Sequence, residues 1–356
     1  MRILYGVVGE GMGHATRSRV ILEHLRQHHD LQIVVSGRAY DYLERRFSNV
    51  VKIDGFELAY QDNTVDRSQT FWRLLKRLPE MASRNVERFT ELSEGKSPDL
   101  VISDFESLSY AYARHHEIPV LSIDNMQIMH RCQHELCLSE AEQRDFQFAR
   151  GIVKAKLPRC YHYLITTFFF PPLRKPNTSL FPPILRDEIL DAQVTQGEHL
   201  LVYQTTTTND RLLEVLQQTG LPCRVYGMGR SETIGKLELR SFSDAGFVAD
   251  LASCRAVLAS GGFSLMGEAV YLGKPILAVP LGKQFEQSLN AIYLEKLGYG
   301  VNCSELSASV VERFVANLEE YRRAVGLHRQ DRNRAILAKL DQLIAEIAQQ
   351  KDQHAD

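Results

Sequence analysis

Two glycine-rich stretches of the chain place chemically active side chains next to backbone turns. The second stretch begins with Ser260-Gly261-Gly262, at the end of a buried strand that we predict over residues 254–260. These glycines let the backbone turn into a helix that we expect to start near Ser264, and amides at a helix start bind phosphate. Glu268 follows one helical turn later, so its carboxylate can accept hydrogen bonds from a ribose diol at the same place.

Polar side chains that can bind hydroxyl groups follow shortly after this turn, beyond the next predicted strand. Together with the turn, they suit a nucleotide sugar, which presents a diphosphate, a ribose and a second sugar. The candidate donor-binding residues are Ser260, Gly261, Gly262, Phe263, Glu268, Gln284, Glu286, Gln287 and Asn290.

The first glycine-rich stretch follows the N-terminal strand and ends at His14, which stands directly before a predicted helix. An imidazole at the carboxyl edge of a parallel sheet can take a proton from a hydroxyl near neutral pH. Asp104 ends another predicted strand, so we expect it at the same edge, where it would fix the imidazole tautomer. Two plainer interpretations stay open: His14 as a cap or spacer, and Asp104 as the N-cap of a helix near Leu108.

The same loop is an imperfect dinucleotide-binding fingerprint. The second strand ends in Ser36-Gly37-Arg38 and lacks the acid that usually contacts the ribose of NAD. A NAD site is therefore disfavoured. Further candidate contacts to a donor or an acceptor are Gly11, Gly13, Arg17, Arg186, Thr205 and Phe247.

The composition is that of a globular protein. The chain has 356 residues, 44% hydrophobic and 24% charged, with a net charge near −2, which disfavours nucleic acid as a partner. The six cysteines form no C-x-x-C pair, and His130, Cys132, His134 and Cys137 lack metal-site spacing, so we expect no metal. The N-terminus has no signal-peptide pattern and no segment has 18 uninterrupted apolar residues, which predicts a cytoplasmic protein.

Alternating apolar runs and helical periodicity predict an α/β protein with two Rossmann-like domains. We predict an N-terminal domain over residues 1–182 and an interdomain linker over residues 183–198, where a proline-rich stretch ends. A C-terminal domain over residues 199–332 and a final helix with a polar tail over residues 333–356 follow. Residues 67–88 alternate basic and apolar side chains, which leaves peripheral contact with the inner face of a membrane open.

The segments Gly9-Glu10-Gly11-Met12-Gly13-His14 and 260–290 together resemble the GT-B glycosyltransferases, and the similarity spans nearly the whole chain. It looks closest to the branch that holds the UDP-GlcNAc transferase of peptidoglycan synthesis and the UDP-glucuronosyltransferase-like enzymes. The resemblance implies two Rossmann-like domains with a cleft between them, an acceptor-binding N-terminal domain and a donor-binding C-terminal domain. Many relatives carry histidine-alanine-glycine where this chain has Ala259-Ser260-Gly261.

Matching positions imply His14 as general base with Asp104 as its partner, and Ser260, Gly261 and Gly262 at the diphosphate. They also imply Glu268 at the ribose, with Glu286 and Gln287 at the donor sugar. The implied reaction is inverting, uses no cofactor and, since no D-x-D sequence occurs, no metal.

The donor is expected to be UDP-linked, and the acceptor, whether lipid-linked or glycan, stays open. A UDP-GlcNAc 2-epimerase and a non-catalytic regulator that binds a nucleotide sugar are the alternatives.

Overall fold

The computed structural model describes residues 1–9, 11–54, 60–61, 64–65, 97–204, 210–281, 284–328 and 330–355. The chain divides into two compact units. Unit 1 comprises Met1–Ile184 together with Asp331–Asp356, and unit 2 comprises Leu185–Gln330. The basic segment 67–88 and Thr205, both singled out in the sequence, lie outside the described residues.

Unit 1 is built on a seven-stranded sheet in which all neighbouring strands are parallel. Its strands are β1 (Arg2–Val7), β2 (Asp30–Ser36), β3 (Val50–Ile53), β6 (Leu100–Asp104), β7 (Val120–Asp124), β8 (His162–Thr166) and β9 (Thr178–Phe181), and a separate antiparallel pair is formed by β4 (Tyr60–Gln61) and β5 (Thr64–Val65). Its first helices are α1 (Met12–Leu25), α2 (Ala39–Glu44), α3 (Ser107–His115), α4 (Ile128–Arg131) and α5 (Glu140–Lys156).

The strand order of unit 1 is β3-β2-β1-β6-β7-β8-β9, so the order reverses between β1 and β6. Val7, at the end of β1, is in register with Asp104, at the end of β6. Ligands of open α/β sheets bind outside the carboxyl ends of the strands where the order reverses. The glycine turn after β1 and the side chain of Asp104 both lie at this edge.

Unit 2 repeats the pattern with the strand order β12-β13-β11-β10-β14-β15-β16, in which only β12 is antiparallel to its neighbour. Its strands are β10 (Leu200–Tyr203), β11 (Cys223–Tyr226), β12 (Glu232–Ile234), β13 (Leu237–Arg240), β14 (Ala256–Ala259), β15 (Ile276–Ala278) and β16 (Gly300–Asn302). Its helices are α6 (Asp187–Leu190), α7 (Asp210–Thr219), α8 (Asp244–Ser253), α9 (Phe263–Tyr271), α10 (Phe285–Lys296), α11 (Ala308–Ala316) and α12 (Leu318–Val325). The order reverses between β10 and β14, where Tyr203 is in register with Ala259.

The C-terminal helix α13 (Arg334–Ala355) belongs to unit 1, although it follows unit 2 in the chain. One apolar stripe of this helix joins the core of unit 1, at Ile336, Leu340, Leu343, Ile344 and Ile347. This spacing puts the side chains on one face of a helix. The stripe explains why the end of the chain returns to the first unit.

The predicted linker differs from the structure. The units divide between Ile184 and Leu185, and α6 of unit 2 lies within the stretch that we predicted to be a linker. The α6 residues Ile189 and Leu190 are buried, and the Tyr271 hydroxyl donates a hydrogen bond of 2.9 Å to the Leu190 carbonyl. Residues 185–198 therefore belong to unit 2 and do not form a separate linker.

Candidate active site

The turn between β1 and α1 is shaped by a glycine that lies against the end of β2. A Cβ atom added to Gly9 would lie 1.8 Å from the Ser36 carbonyl oxygen, an approach that only glycine permits. At Gly11, by contrast, an added Cβ would meet nothing within 4 Å. The carbonyl of Gly13 accepts a hydrogen bond of 3.1 Å from Thr16. Gly9 therefore fixes the entry into α1, and Gly11 stays a candidate for contact with a substrate.

His14 and Asp104 form a hydrogen-bonded pair where the strand order of unit 1 reverses. Nδ1 of His14 lies 2.8 Å from Oδ1 of Asp104. The carboxylate is fully buried, whereas 17% of the His14 side chain is exposed. In the part of the chain that the structure describes, Nε2 of His14 has no hydrogen-bond partner. The ring thus has one nitrogen on the carboxylate, and the other makes no contact of this kind with any described residue.

The cap of α3 is Glu106, not Asp104. The Glu106 carboxylate accepts hydrogen bonds from the amides of Leu108 at 2.8 Å and Ser109 at 2.6 Å. Asp104 directs both of its oxygens to side chains of α1. The geometry therefore agrees with a pair between Asp104 and His14 and not with the capping interpretation.

Two more residues of α1 contact Asp104, because positions three and four after His14 lie on the same face of a helix. Arg17 donates from Nε to Oδ2 at 2.8 Å and contacts Oδ1 through Nη2, while Ser18 donates to Oδ2 at 2.8 Å. Nη1 of Arg17 donates to Oδ1 of Asn125 at 2.6 Å. We had not identified Ser18 or Asn125 from the sequence, although Asn125 directly follows β7, whose end lies at the same sheet edge.

The charges around Asp104 keep it ionised. Burial acts to raise the pKa of its carboxyl, but the Arg17 guanidinium and the His14 imidazole lower that pKa to about 2. An ionised carboxylate accepts the Nδ1 hydrogen of His14 and so favours the tautomer with an unprotonated Nε2. This arrangement suits His14 to general base catalysis.

In unit 2, the turn after β14 requires Gly261. Its φ is +89°, and an added Cβ would lie 2.9 Å from the Gln287 carbonyl oxygen. The Gly261 carbonyl accepts a hydrogen bond of 3.1 Å from Nδ2 of Asn290. Helix α9 then begins after Gly262 without a side-chain cap. Amides in the first turn of such a helix suit an anion.

The polar residues predicted around the donor sugar come together at the start of α10. Oε1 of Gln287 accepts a hydrogen bond of 3.0 Å from the Leu281 amide, and its Nε2 donates to Gln284. Nδ2 of Asn290 donates to Oε1 of Glu286 at 3.0 Å. Gln287 and Asn290 are buried and bind the backbone of Leu281 and Gly261 through these hydrogen bonds. Gln284 and Glu286 are half-buried.

Glu268, the predicted ribose contact, forms an ion pair with Arg186. Both side chains are buried, and Nη1 of Arg186 also lies 3.5 Å from Oδ1 of Asp244. Burial raises the pKa of the Glu268 carboxyl, although the Arg186 charge acts to lower it. The two residues that we predicted as separate contacts are thus partners of each other in this structure.

An aromatic cluster lies at the carboxyl edge of the sheet of unit 2. The buried Phe247 ring lies 5.8 Å from Tyr203, 5.1 Å from Tyr226 and 5.4 Å from Phe242, measured between ring centroids. Tyr203 and Tyr226 are the last residues of β10 and β11, and Phe242 follows β13. Phe242 is 55% exposed, whereas Phe263, the first residue of α9, is buried. Of the cluster, Phe242 offers an open aromatic face to a ligand.

The two mainly parallel sheets and the sites at their carboxyl edges define the class of protein. Each unit is a Rossmann-like α/β unit, which confirms the predicted fold class, and the fold matches solved GT-B glycosyltransferases. The glycosyltransferase of kitacinnamycin superposes with a TM-score of 0.70 at 15% identity, covering 97% of this chain and 98% of that one. UGT2 of Phytolacca americana, solved with UDP-2-fluoro-glucose and pterostilbene, superposes with a TM-score of 0.65 at 16% identity, covering 91% and 92%.

Residues 1–319 match the model of the family described as Glycosyl transferase family 1, and the chain belongs to this family. A relative from Methanosarcina acetivorans, named an uncharacterized glycosyltransferase, is 24% identical over 352 residues, covering 91% of this chain and 90% of its own. A similarly named relative from Methanosarcina mazei is 24% identical over 342 residues, covering 86% and 87%. The protein is therefore a glycosyltransferase of the GT-B type, as the sequence predicted.

Among the residues that the structure describes, no helix is both long enough and apolar enough to cross a bilayer.

Proposed function

We propose that the protein transfers a sugar from a UDP-linked donor to an acceptor hydroxyl with inversion at the anomeric carbon, and that it needs neither a metal nor a cofactor. The observation that carries this proposal is the pair in which Asp104 contacts Nδ1 of His14 at 2.8 Å, while Nε2 has no hydrogen-bond partner among the residues that the structure describes. A histidine oriented by a buried carboxylate is suited to take a proton from a hydroxyl.

The proposed reaction is a single displacement. Nε2 of His14 takes the proton of the acceptor hydroxyl while the hydroxyl oxygen forms a bond to the anomeric carbon. The bond between that carbon and the diphosphate oxygen breaks, and its electron pair leaves with the nucleoside diphosphate. Asp104 stabilises the imidazolium that forms. One displacement from the opposite face inverts the anomeric configuration.

The turn at Ser260, Gly261 and Gly262 supports the proposed binding of the diphosphate. Helix α9 starts there without a side-chain cap, and the positive end of its dipole favours the negative charge that develops on the leaving group. Fixed amide dipoles would stabilise this charge, as a metal ion does in other enzymes. The absence of a D-x-D sequence is the reason for proposing a reaction without one.

Two features of unit 2 support a nucleotide donor. The exposed ring of Phe242 offers a stacking surface for a base, and Glu268 can accept the ribose hydroxyls when a ligand shares it with Arg186. Glu286 and Gln287 are proposed to contact the donor sugar. The choice of UDP follows the resemblance of the sequence, and UDP-2-fluoro-glucose in the Phytolacca americana neighbour supports it.

The donor can be identified by thermal shift against UDP, dTDP, GDP and ADP sugars, with NAD and NADP as controls. We expect stabilisation by UDP sugars, and the same shift in the presence of EDTA. Stabilisation by NAD or NADP alone would contradict the proposal. The anomeric configuration of the product, read from the proton coupling in its NMR spectrum, would test inversion.

A further inference from the structure

Arg17 lies against the His14 and Asp104 pair and is itself almost fully buried, with 4% of its side chain exposed. Its Nε lies 2.8 Å from Oδ2 of Asp104, and its Nη2 lies 2.6 Å from Nδ1 of His14. The third nitrogen, Nη1, donates to Asn125. All three nitrogens are occupied by the protein, so Arg17 acts on the pair and not on a phosphate.

Nδ1 of His14 has two close neighbours of opposite character. Arg17 carries only donors, whereas the ionised Asp104 carries only acceptors. Without a hydrogen on Nδ1, the nitrogen lone pair would face the charged Asp104 oxygen at 2.8 Å. With a hydrogen, Nδ1 donates to that oxygen, while Nη2 of Arg17 uses the same carboxylate. An unprotonated Nδ1 would accept from Nη2 of Arg17 at 2.6 Å, but its lone pair would still face the carboxylate. In the second arrangement both Nδ1 and Nη2 donate to Asp104, and Nε2 is unprotonated.

The charge balance of the cluster follows from this arrangement. With Arg17 charged and Asp104 ionised, the cluster is neutral before transfer and carries one positive charge after His14 takes a proton. Two more ionisable groups face Arg17: Tyr5 of β1 and Asp124 at the end of β7. Burial raises the pKa of Tyr5 and of Asp124, so Tyr5 is uncharged at neutral pH. The guanidinium, with Nη2 2.6 Å from Nδ1, opposes protonation of His14, whereas the carboxylate of Asp104 favours it.

We propose that Arg17 is a positioning residue that holds Asp104 ionised as the acceptor of the Nδ1 hydrogen of His14 and, as a cation 2.6 Å from Nδ1, opposes protonation of the imidazole. This inference rests on the proposed role of His14 as the base in sugar transfer. It implies that Arg17 affects the pH below which the reaction rate falls. The sequence alone had indicated Arg17 as a contact to a donor or an acceptor.

The test is an NMR titration of the His14 imidazole in the full-length protein with labelled histidine. The His14 signal is assigned as the one that is missing from the spectrum of His14→Gln. Wild type is expected to show a hydrogen on Nδ1 and none on Nε2 at neutral pH. In Arg17→Met, the titration midpoint should rise by about one pH unit or more, because a cation within hydrogen-bond distance is lost. Arg19→Met is the matched control, since Arg19 is a buried arginine of the same helix that contacts Tyr42.

A hydrogen on Nε2 in the wild-type spectrum would overturn the inference, and this measurement needs no variant to fold. An unchanged midpoint in folded Arg17→Met would overturn it as well. Donor turnover separates the two proposals. If His14→Gln keeps the wild-type rate, the proposed function fails; if His14→Gln is inactive and the Arg17→Met midpoint is unchanged, only the role of Arg17 fails.

Discussion

Arg186 and Glu268 form a buried ion pair with two contacts, in which Nε lies 3.0 Å from Oε1 and Nη2 lies 3.4 Å from Oε2. Each carboxylate oxygen has a second lone pair, so Glu268 can accept ribose hydroxyls while it keeps its contacts with Arg186. Asp244, at 3.5 Å from Nη1 of Arg186, adds a second negative charge beside the guanidinium. Arg186 therefore holds the Glu268 carboxylate at the place where we propose that the ribose binds.

The Glu268→Gln variant should bind UDP at least about tenfold more weakly, because it loses a charge-assisted acceptor for the ribose. It should also unfold more easily, since breaking a buried pair destabilises by about 3–5 kcal/mol. Isothermal titration with UDP and a thermal melt measure the two effects. Glu188→Gln is the control, because Glu188 is an exposed carboxylate of α6. UDP affinity that is unchanged in folded Glu268→Gln would remove Glu268 from the donor site.

Gly261→Ala should lose most of the thermal shift caused by UDP sugars. The alanine would have to adopt a φ of +89° with its Cβ 2.9 Å from a backbone oxygen, so the turn must move. Gly151→Ala, at an exposed position of α5 in unit 1, is the control, because an added Cβ meets nothing within 4 Å there. Equal shifts in the two variants would show that the turn does not hold the donor.

Asp104 should contribute a pH-dependent stability to unit 1. Its pKa in the folded protein is about 2, below the ordinary value of 3.8, so the contribution is present above about pH 4 and is lost as the pH falls toward 2. The full effect is on the order of 2 kcal/mol. The midpoint of urea unfolding of unit 1, measured from pH 7 to pH 3 in wild type and Asp104→Asn, tests this.

The difference between wild type and Asp104→Asn should shrink as the pH falls. Asp41→Asn, on the exposed side of α2, should stay within about 0.5 kcal/mol of wild type throughout. A difference between wild type and Asp104→Asn that does not change with pH would contradict the ionised state of Asp104.

Phe242→Ala should weaken UDP binding about tenfold or more, because stacking between a base and an aromatic ring contributes about 1–3 kcal/mol. Its effect on stability should be small, since the ring is 55% exposed. Phe148→Ala removes an exposed phenylalanine of α5 in unit 1 and serves as the control. Fluorescence or calorimetric titration with UDP gives the affinities. Equal affinities in the two variants would show that the base does not bind at the aromatic cluster.

The fold class could be predicted from the sequence, and so could the placement of several residues at the two sheet edges. Strands and turns are short-range features, and parallel strands end at a common edge, so His14 and Asp104 could be brought together from the chain order alone. The glycine at 261 could likewise be assigned to a turn into a helix.

The partners of these residues could not be predicted, because they depend on contacts between residues far apart in the chain. Arg186 and Glu268 are 82 positions apart, and each was predicted to contact a ligand separately. Arg17 and Asn125 are 108 positions apart. The return of α13 to unit 1 likewise depends on its apolar stripe meeting a distant core.

The most direct test of the account is the rate of UDP release from a UDP sugar, with water, alcohols or phenols as acceptors, in wild type, His14→Gln and His24→Gln. His24 is the control, because it lies at the other end of α1 and pairs with Asp341. We predict a loss of about 100-fold to 10,000-fold in His14→Gln with unchanged UDP binding, and no loss in His24→Gln. Wild-type turnover in His14→Gln would contradict the role of His14 as the base.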